Sequence, residues 1–219
     1  MSQIIVCDSE LADLAQYADF PLDENSLLFL RDYLSLLMLW NRKMNLVGTH
    51  TWQDAFCDLI VDCLHLADFM MELPLPGQPT TWDPGAGAGL PGIPLRLIWQ
   101  RGDYWMIEAR EKRSLFLNTV LARHPLPGVR VFHGRMETFM MAHTAPDCVV
   151  SRAFMPWNGL LELLYPCMRQ FGIVVFMTNE PVPVLPENWR VVSTHAYASG
   201  CAGRGRRLTR HFWATMKIG

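Results

Sequence analysis

The chain has 219 residues, half of them apolar, with 19 basic and 21 acidic side chains and a formal charge of −2. That suffices for one large α/β domain, or for a core domain with a helical extension. No apolar run is long enough to span a bilayer, and Met-Ser-Gln-Ile-Ile-Val-Cys-Asp is not a signal peptide, so a cytoplasmic protein is expected, with no membrane partner.

In chain order, apolar residues recur at helical spacing from Ser26 through Trp40, and a further helical stretch is expected from Trp52 through Met71. Leu73-Pro-Leu-Pro-Gly-Gln-Pro79 carries three prolines in seven residues and reads as a linker. Beyond it the chain alternates: strand 80–84, helix 92–100, strand 104–109, helix 111–124, strand 129–133, strand 148–152, helix 157–169 and strand 172–178. Two later β-like runs, Trp189 to Tyr197 and Arg210 to Ile218, have no helix between them and suit an antiparallel pair at a sheet edge. The pattern predicts a doubly wound, Rossmann-like α/β sheet (76–219) behind an N-terminal helical cap (1–75).

The segment Thr80-Thr-Trp-Asp-Pro-Gly-Ala-Gly-Ala-Gly-Leu-Pro-Gly-Ile-Pro94 is a strand, an acid, a glycine loop and a helix start. Gly85, Gly87 and Gly89 let the backbone turn sharply against a ligand, and Pro91 or Pro94 suits a first helical turn with free N–H groups. Gly87, Gly89 and Gly92 also satisfy G-x-G-x-x-G, so a dinucleotide reading stays open. Asp83 argues against it: a carboxylate there repels a pyrophosphate and favours a cation such as the α-ammonium of S-adenosylmethionine. The next strand ends in Glu108, about twenty residues beyond the loop, where a ribose hydroxyl pair is gripped.

The six cysteines (7, 57, 63, 148, 167 and 201) are scattered, with no C-x-x-C; reduced, mostly buried thiols and no zinc are expected. Charge is unevenly spread. Residues 1–75 carry twelve acids and three bases, Arg31, Arg42 and Lys43, whereas residues 76–219 carry sixteen bases and nine acids. The cluster Arg204, Arg206, Arg207 and Arg210 suits phosphate contacts, and equally a solvated basic loop.

Several separated motifs resemble one family. Trp40-Asn-Arg-Lys-Met-Asn45-Leu46, the glycine loop Asp83 to Pro94, Glu111-Lys-Arg-Ser-Leu-Phe-Leu117, His133-Gly-Arg-Met-Glu137 and Val150-Ser-Arg152-Ala-Phe154 are similar, in order and spacing, to the bacterial glucose-inhibited division protein B family. That family comprises the guanine-N7 methyltransferases of 16S ribosomal RNA, and the likeness runs from about Leu39 to the C-terminus. It implies a class I methyltransferase sheet, S-adenosylmethionine as cofactor, and 16S rRNA or a small ribosomal subunit intermediate as partner of a monomer. It further implies that Gly85 and Leu90 line the methionine and ribose side, that Met136 and Glu137 contact the adenine, and that Arg152 closes the far side. From the residues alone, Glu137 equally starts a helix and Arg152 equally forms a buried ion pair. Arg42, Lys43, Arg204, Arg206, Arg207 and Arg210 are the RNA-binding candidates.

The chain departs from the family pattern at three places. Cys57-Asp58 stands where an arginine-histidine pair precedes an isoleucine-leucine-aspartate stretch, Thr178-Asn179 stands where a lysine-glycine ends the fifth strand, and Pro84 follows the strand-end acid. A related methyltransferase with a small-molecule or protein substrate, and a non-catalytic RNA- or cofactor-binding module, are the alternatives.

Overall fold

The computed structural model describes residues 5–201 and 209–218. The N-terminal region is helical: α1 (Asp8–Tyr17), α2 (Glu24–Met44), α3 (Trp52–Ala55), a π turn (Phe56–Ile60) and α4 (Val61–Met71), the last three forming one continuous run. α2 starts where the Asp23 carboxylate accepts from Ser26 N (2.7 Å) and stops at Asn45, which takes the left-handed conformation. Its buried face carries Leu30, Tyr33, Leu34 and Leu37, the one-stripe spacing that a core-facing helix needs. α1 was not among the expected elements, whereas α7 (Met136–Ala142) realises the helix start that Glu137 offered as an alternative.

Seven strands follow: β1 (Thr80–Pro84), β2 (Asp103–Glu108), β3 (Val129–His133), β4 (Cys148–Arg152), β5 (Ile173–Thr178), β6 (Trp189–Ala198) and β7 (Thr209–Lys217). Their spatial order is β3-β2-β1-β4-β5-β7-β6. The first five are parallel, and β7 runs antiparallel to both β5 and β6. The last two strands do pair as expected, with β7 placed inside the sheet and β6 at its edge. α5 (Gly92–Ile98), α6 (Glu111–Arg123), α7 and α8 (Trp157–Leu164) complete the layers.

Strand alternation divides the core. Cys148, Val150, Ile173 and Val175 face one cluster, shared with α5, α6 and the cap helices; Val149, Val174 and Phe176 face the other, with α7 and α8. Burial on both faces explains why β4 and β5 read as continuous apolar runs. Arg96, fully buried, ties the lower ends of β2 and β3 by donating to the carbonyls of Arg101 (2.6 Å), Gly102 (3.0 Å) and Pro127 (2.6 Å). The proline-rich segment after α4 is pinned by Arg101 Nη2, which donates to the carbonyls of Leu75 (3.1 Å) and Pro76 (2.6 Å). Among the described residues no helix is long and apolar enough to cross a membrane.

Candidate active site

The strand order reverses between β1 and β4, which opens a crevice at the carboxyl edge of the sheet. The glycine loop fills one side of it. Gly85 N and Ala86 N both donate to Ile107 O (2.8 and 3.2 Å), bending the chain over the end of β2. Gly85, Gly87 and Gly89 all have positive φ (+70°, +57° and +80°), a conformation that L side chains rarely adopt. At Gly85 space is short as well, since a Cβ would lie 2.6 Å from the Phe154 ring. Glu108 holds the loop from below: one carboxylate oxygen accepts from Gly87 N (2.9 Å), the other from Arg110 N (2.8 Å). The cap holds it from above, through the Tyr33 hydroxyl donating to Ala88 O (2.8 Å).

A cavity of about 290 Å³ adjoins this loop, lined by Gly85, Glu108, Arg110, Arg113, Met136 and Phe154 among others. Of the expected cofactor residues, Gly85, Glu108 and Met136 therefore meet in one place. Gly87, Gly89 and Leu90 shape the loop without lining the cavity, and Glu137 is exposed on the first turn of α7. Asp83 lies behind the loop. Its carboxylate accepts from the Tyr104 hydroxyl (3.0 Å) and from the Gly92 backbone, and burial pushes it up to about 7. The third glycine of the motif serves this packing, because a Cβ on Gly92 would sit 2.8 Å from that carboxylate.

A second cavity of about 290 Å³ adjoins the first at Ala153 and is lined by Asp62, Arg152, Trp157, Asn179, Tyr197 and Arg210, among others. Ala153 itself has φ +54°, a strained position of the kind found at functional sites. Arg152 turns toward the cap: Nη2 reaches Asp62 at 3.4 Å and Nη1 donates to Leu59 O at 3.2 Å. The ion-pair reading of Arg152 is thus realised on the wall of a cavity. Asp62 also accepts from the Tyr197 hydroxyl (2.7 Å) and lies 3.7 Å from Arg210 Nε, while Arg210 donates to the Asn179 side chain. Burial raises the Asp62 carboxyl, with Arg152, the Tyr197 hydrogen bond and Arg210 opposing. In the sequence Asn179 stands out only as part of a departure from the family pattern, and neither Asp62 nor Tyr197 is singled out.

One expectation about the cysteines is overturned: Cys57 and Cys201 form a disulfide between the π turn and the residue region just beyond β6. The other four, Cys7, Cys63, Cys148 and Cys167, are free. A spacing of 144 residues carries no local signal, and only the docking of the hairpin on the cap brings the two sulfurs together. The π turn leads directly into α4, whose Asp62 faces Arg152.

The basic candidates separate. Phe29 contacts His124 and Trp40 contacts Phe116, so α2 runs antiparallel to α6 and delivers its last turn, with exposed Arg42 and Lys43, to the carboxyl edge. There a cavity of about 710 Å³ is lined by Asn41, Arg42, Asn45, His50 and Trp52, among others. Asn41 shapes it, accepting from Val47 N (2.9 Å) and donating to Thr49 O (3.0 Å). Arg210 lies in the second cavity instead, and Arg204, Arg206 and Arg207 fall outside the described residues.

Known proteins share both sequence and fold with this chain. The family model of GidB, rRNA small subunit methyltransferase G, matches residues 27–183. A protein named ribosomal RNA small subunit methyltransferase G from Nitratidesulfovibrio vulgaris is 51% identical over 217 residues, covering 99% of this chain and 97% of the relative. Its namesake in Lawsonia intracellularis is 45% identical over 195 residues, covering 87% of this chain and 90% of its own. In fold, yhhF from Escherichia coli has a TM-score of 0.53 at 16% identity, covering 72% of this chain and 85% of its own. This methyltransferase-type sheet and the sequence match along most of the chain agree, and the chain belongs to the rRNA small subunit methyltransferase G family.

Proposed function

We propose that this protein transfers the methyl group of S-adenosylmethionine to N7 of a guanine in 16S ribosomal RNA, acting in the cytoplasm as a monomer on a small ribosomal subunit or its precursor. The observation that carries this reading is the pair of adjoining cavities at the carboxyl edge, one under a carboxylate-held glycine loop and one walled by polar and aromatic side chains. Residues 76–219 form the catalytic body in this reading, and residues 1–75 form a cap that contributes a wall through Asp62.

The first cavity suits the cofactor. Each Glu108 oxygen accepts one backbone N–H and keeps a second lone pair for a ribose hydroxyl. Met136 offers a buried apolar surface to the adenine ring, and the adjacent Glu137, exposed on the first turn of α7, would accept from its amino group. Gly85, Gly87, Gly89 and Leu90 shape the methionine side. Asp83 serves from behind, fixing the start of α5 and the loop rather than pairing directly with an ammonium group. When bound, S-adenosylmethionine supplies a methyl group already activated by its sulfonium.

The second cavity suits the acceptor base. Guanine N7 has a free lone pair, so no side chain needs to remove a proton before attack. The protein's task is alignment and exclusion of water, which can be worth roughly 7–11 kcal/mol. Trp157 and Phe212 offer faces for a ring, and Asn179 and Arg210 offer polar groups to its edge. Methylation leaves the base positively charged, and the Asp62 carboxylate is the group in that cavity that compensates. Arg152 holds Asp62 in place and positions the wall. Arg42 and Lys43, with the segment carrying Arg204, Arg206 and Arg207, take the RNA phosphates.

The test is methyl transfer from labelled S-adenosylmethionine to small ribosomal subunits that lack the modification, with naked 16S rRNA alongside and the labelled base identified by nucleoside analysis. Label in 7-methylguanosine is the expected result. Tight cofactor binding with no label in RNA would instead favour a methyltransferase of another substrate, or a binding module without turnover.

A further inference from the structure

The Cys57–Cys201 bond joins the π turn of the cap to the chain just after β6, two segments that each lead to a residue of the acceptor-side cavity, Asp62 and Tyr197. Cys57 sits in the π turn, which presents Leu59 O to Arg152 and leads directly into Asp62. Cys201 comes soon after β6, the strand whose Tyr197 hydroxyl holds Asp62. On the cap side His65 also packs on Tyr197, with ring centroids 4.3 Å apart. Cap and hairpin are therefore joined by polar and ring contacts that can open, and by one covalent bond that opens only by reduction.

We propose that Cys57 and Cys201 form a reversible redox clasp, which locks the β6–β7 hairpin onto the cap and hinders entry of the acceptor nucleotide into the cavity between them. The proposal rests on the acceptor-site reading above. Disulfides in a reducing cytoplasm are as a rule transient, so the dithiol is the working form and the disulfide the restrained one. Neither cysteine lines either cavity, so closure acts through the position of the walls and leaves the cofactor cavity alone. The nearby thiol of Cys63 does not compete: burial pushes it up to about 12, and it donates to Leu59 O at 3.0 Å.

The exchange balances with a low-molecular-weight disulfide as oxidant. One cysteine thiolate attacks a sulfur of that disulfide and expels one thiol, giving a mixed disulfide. The second cysteine thiolate then attacks the protein sulfur and expels the other thiol. Two protein thiols are oxidised to one disulfide, and one external disulfide is reduced to two thiols. A dithiol reverses both steps.

The experiment compares full-length protein equilibrated with reduced dithiothreitol or with glutathione disulfide. Thiol titration after denaturation is expected to find all six cysteines in the reduced protein and four in the oxidised one. Methyl transfer to small ribosomal subunits is expected to fall on the order of tenfold in kcat/KM upon oxidation, with affinity for S-adenosylmethionine unchanged. Cys57→Ser and Cys201→Ser each abolish the difference while keeping the reduced-state rate, and Cys7→Ser, at an exposed thiol, preserves the difference. Six thiols under both conditions, or equal rates in both states, would overturn the proposal. If the reduced protein methylates no RNA, the proposed function fails first. The clasp is then judged by amide exchange across β6 and β7: slower exchange in the oxidised protein keeps it, and equal exchange removes it.

Discussion

Gly87 has room for a methyl group but not the backbone for one. A Cβ there would find its nearest neighbours at 3.6 Å, yet φ is +57°. Gly87→Ala thus carries only the left-handed penalty of about 1–2 kcal/mol, and S-adenosylmethionine affinity is expected to drop about tenfold. Gly87→Asp adds a carboxylate beside the one that already accepts from Gly87 N, and calorimetry is expected to show a loss of at least about 100-fold. Unchanged affinity in the aspartate variant would remove the loop from the cofactor site. Asp83 yields a prediction of the opposite electrostatic kind. Its folded-state value lies near 7 against 3.8 for the free group, so between those values the folded chain keeps a proton that the unfolded chain has lost. Stability contributed by this group therefore falls as pH rises through that window. Asp83→Asn is expected to gain stability relative to the parent on going from pH 5 to pH 8, by up to about 3 kcal/mol in urea unfolding, and a pH-independent difference would refute it. The two strand-end acids look alike in sequence but stand differently in the sheet. Asp83 is paired with Met106 inside the ladder, whereas Glu108 lies one residue beyond the last β1–β2 pair, Pro84 with Ile107, and projects past the β1 edge.

At the scale of elements, the cap is coupled to the catalytic edge through both α2 and α4. Through α2, the Tyr33 hydroxyl bonds the glycine loop at a fully buried site. Tyr33→Phe leaves Ala88 O without that donor, at a cost of about 1–3 kcal/mol in unfolding free energy. Cofactor affinity is expected to weaken in parallel; a stability loss with unchanged affinity would mean that the loop keeps its shape without the cap. Through α4, His65 packs between Phe20 and Tyr197. Burial, aided by His195, holds the His65 imidazole down to about 4, against 6.5 for the free group. Above 6.5 the folded state keeps its full advantage from this residue; as pH falls toward 4 the unfolded chain takes up the proton first and the advantage is lost. His65→Phe is expected to flatten the acid limb of the stability profile between those values, and an unchanged limb would assign the acid sensitivity elsewhere. The helix and strand alternation after residue 76 was legible because period and turn residues are local signals. α1 and the extent of α7 were not, since neither has a side-chain cap or a proline at its start, the signal that marks α5 and α8.

At the scale of the molecule, the charge asymmetry acquires a geometry. The acidic N-terminal region packs its helices on the sheet and presents two of its three bases, Arg42 and Lys43, at the same edge as Arg110 and Arg113 of the catalytic body. If RNA lies across that edge, Arg42→Ala and Lys43→Ala should each weaken binding for any sequence and lower the slope of log K against log salt by about one unit. Filter binding at several salt concentrations checks this, and an unaltered slope would move the phosphate contacts off the cap.

By itself the sequence determined the fold class, the glycine loop and the spacing of Asp83 and Glu108, because each is written in residues close together in the chain: strand period, positive-φ glycines, prolines at a helix start. Only the tertiary structure decided which acid borders the cavity, since that depends on where β1 stops against β2. It also assembled the second cavity, joining Asp62 to Arg152 and Tyr197 across 90 and 135 residues, and joined Cys57 to Cys201 across 144. Such pairs share no local pattern. They form because α4 and the β6–β7 hairpin are packed against the same edge of the sheet, and a buried carboxylate there needs the donors that this packing supplies.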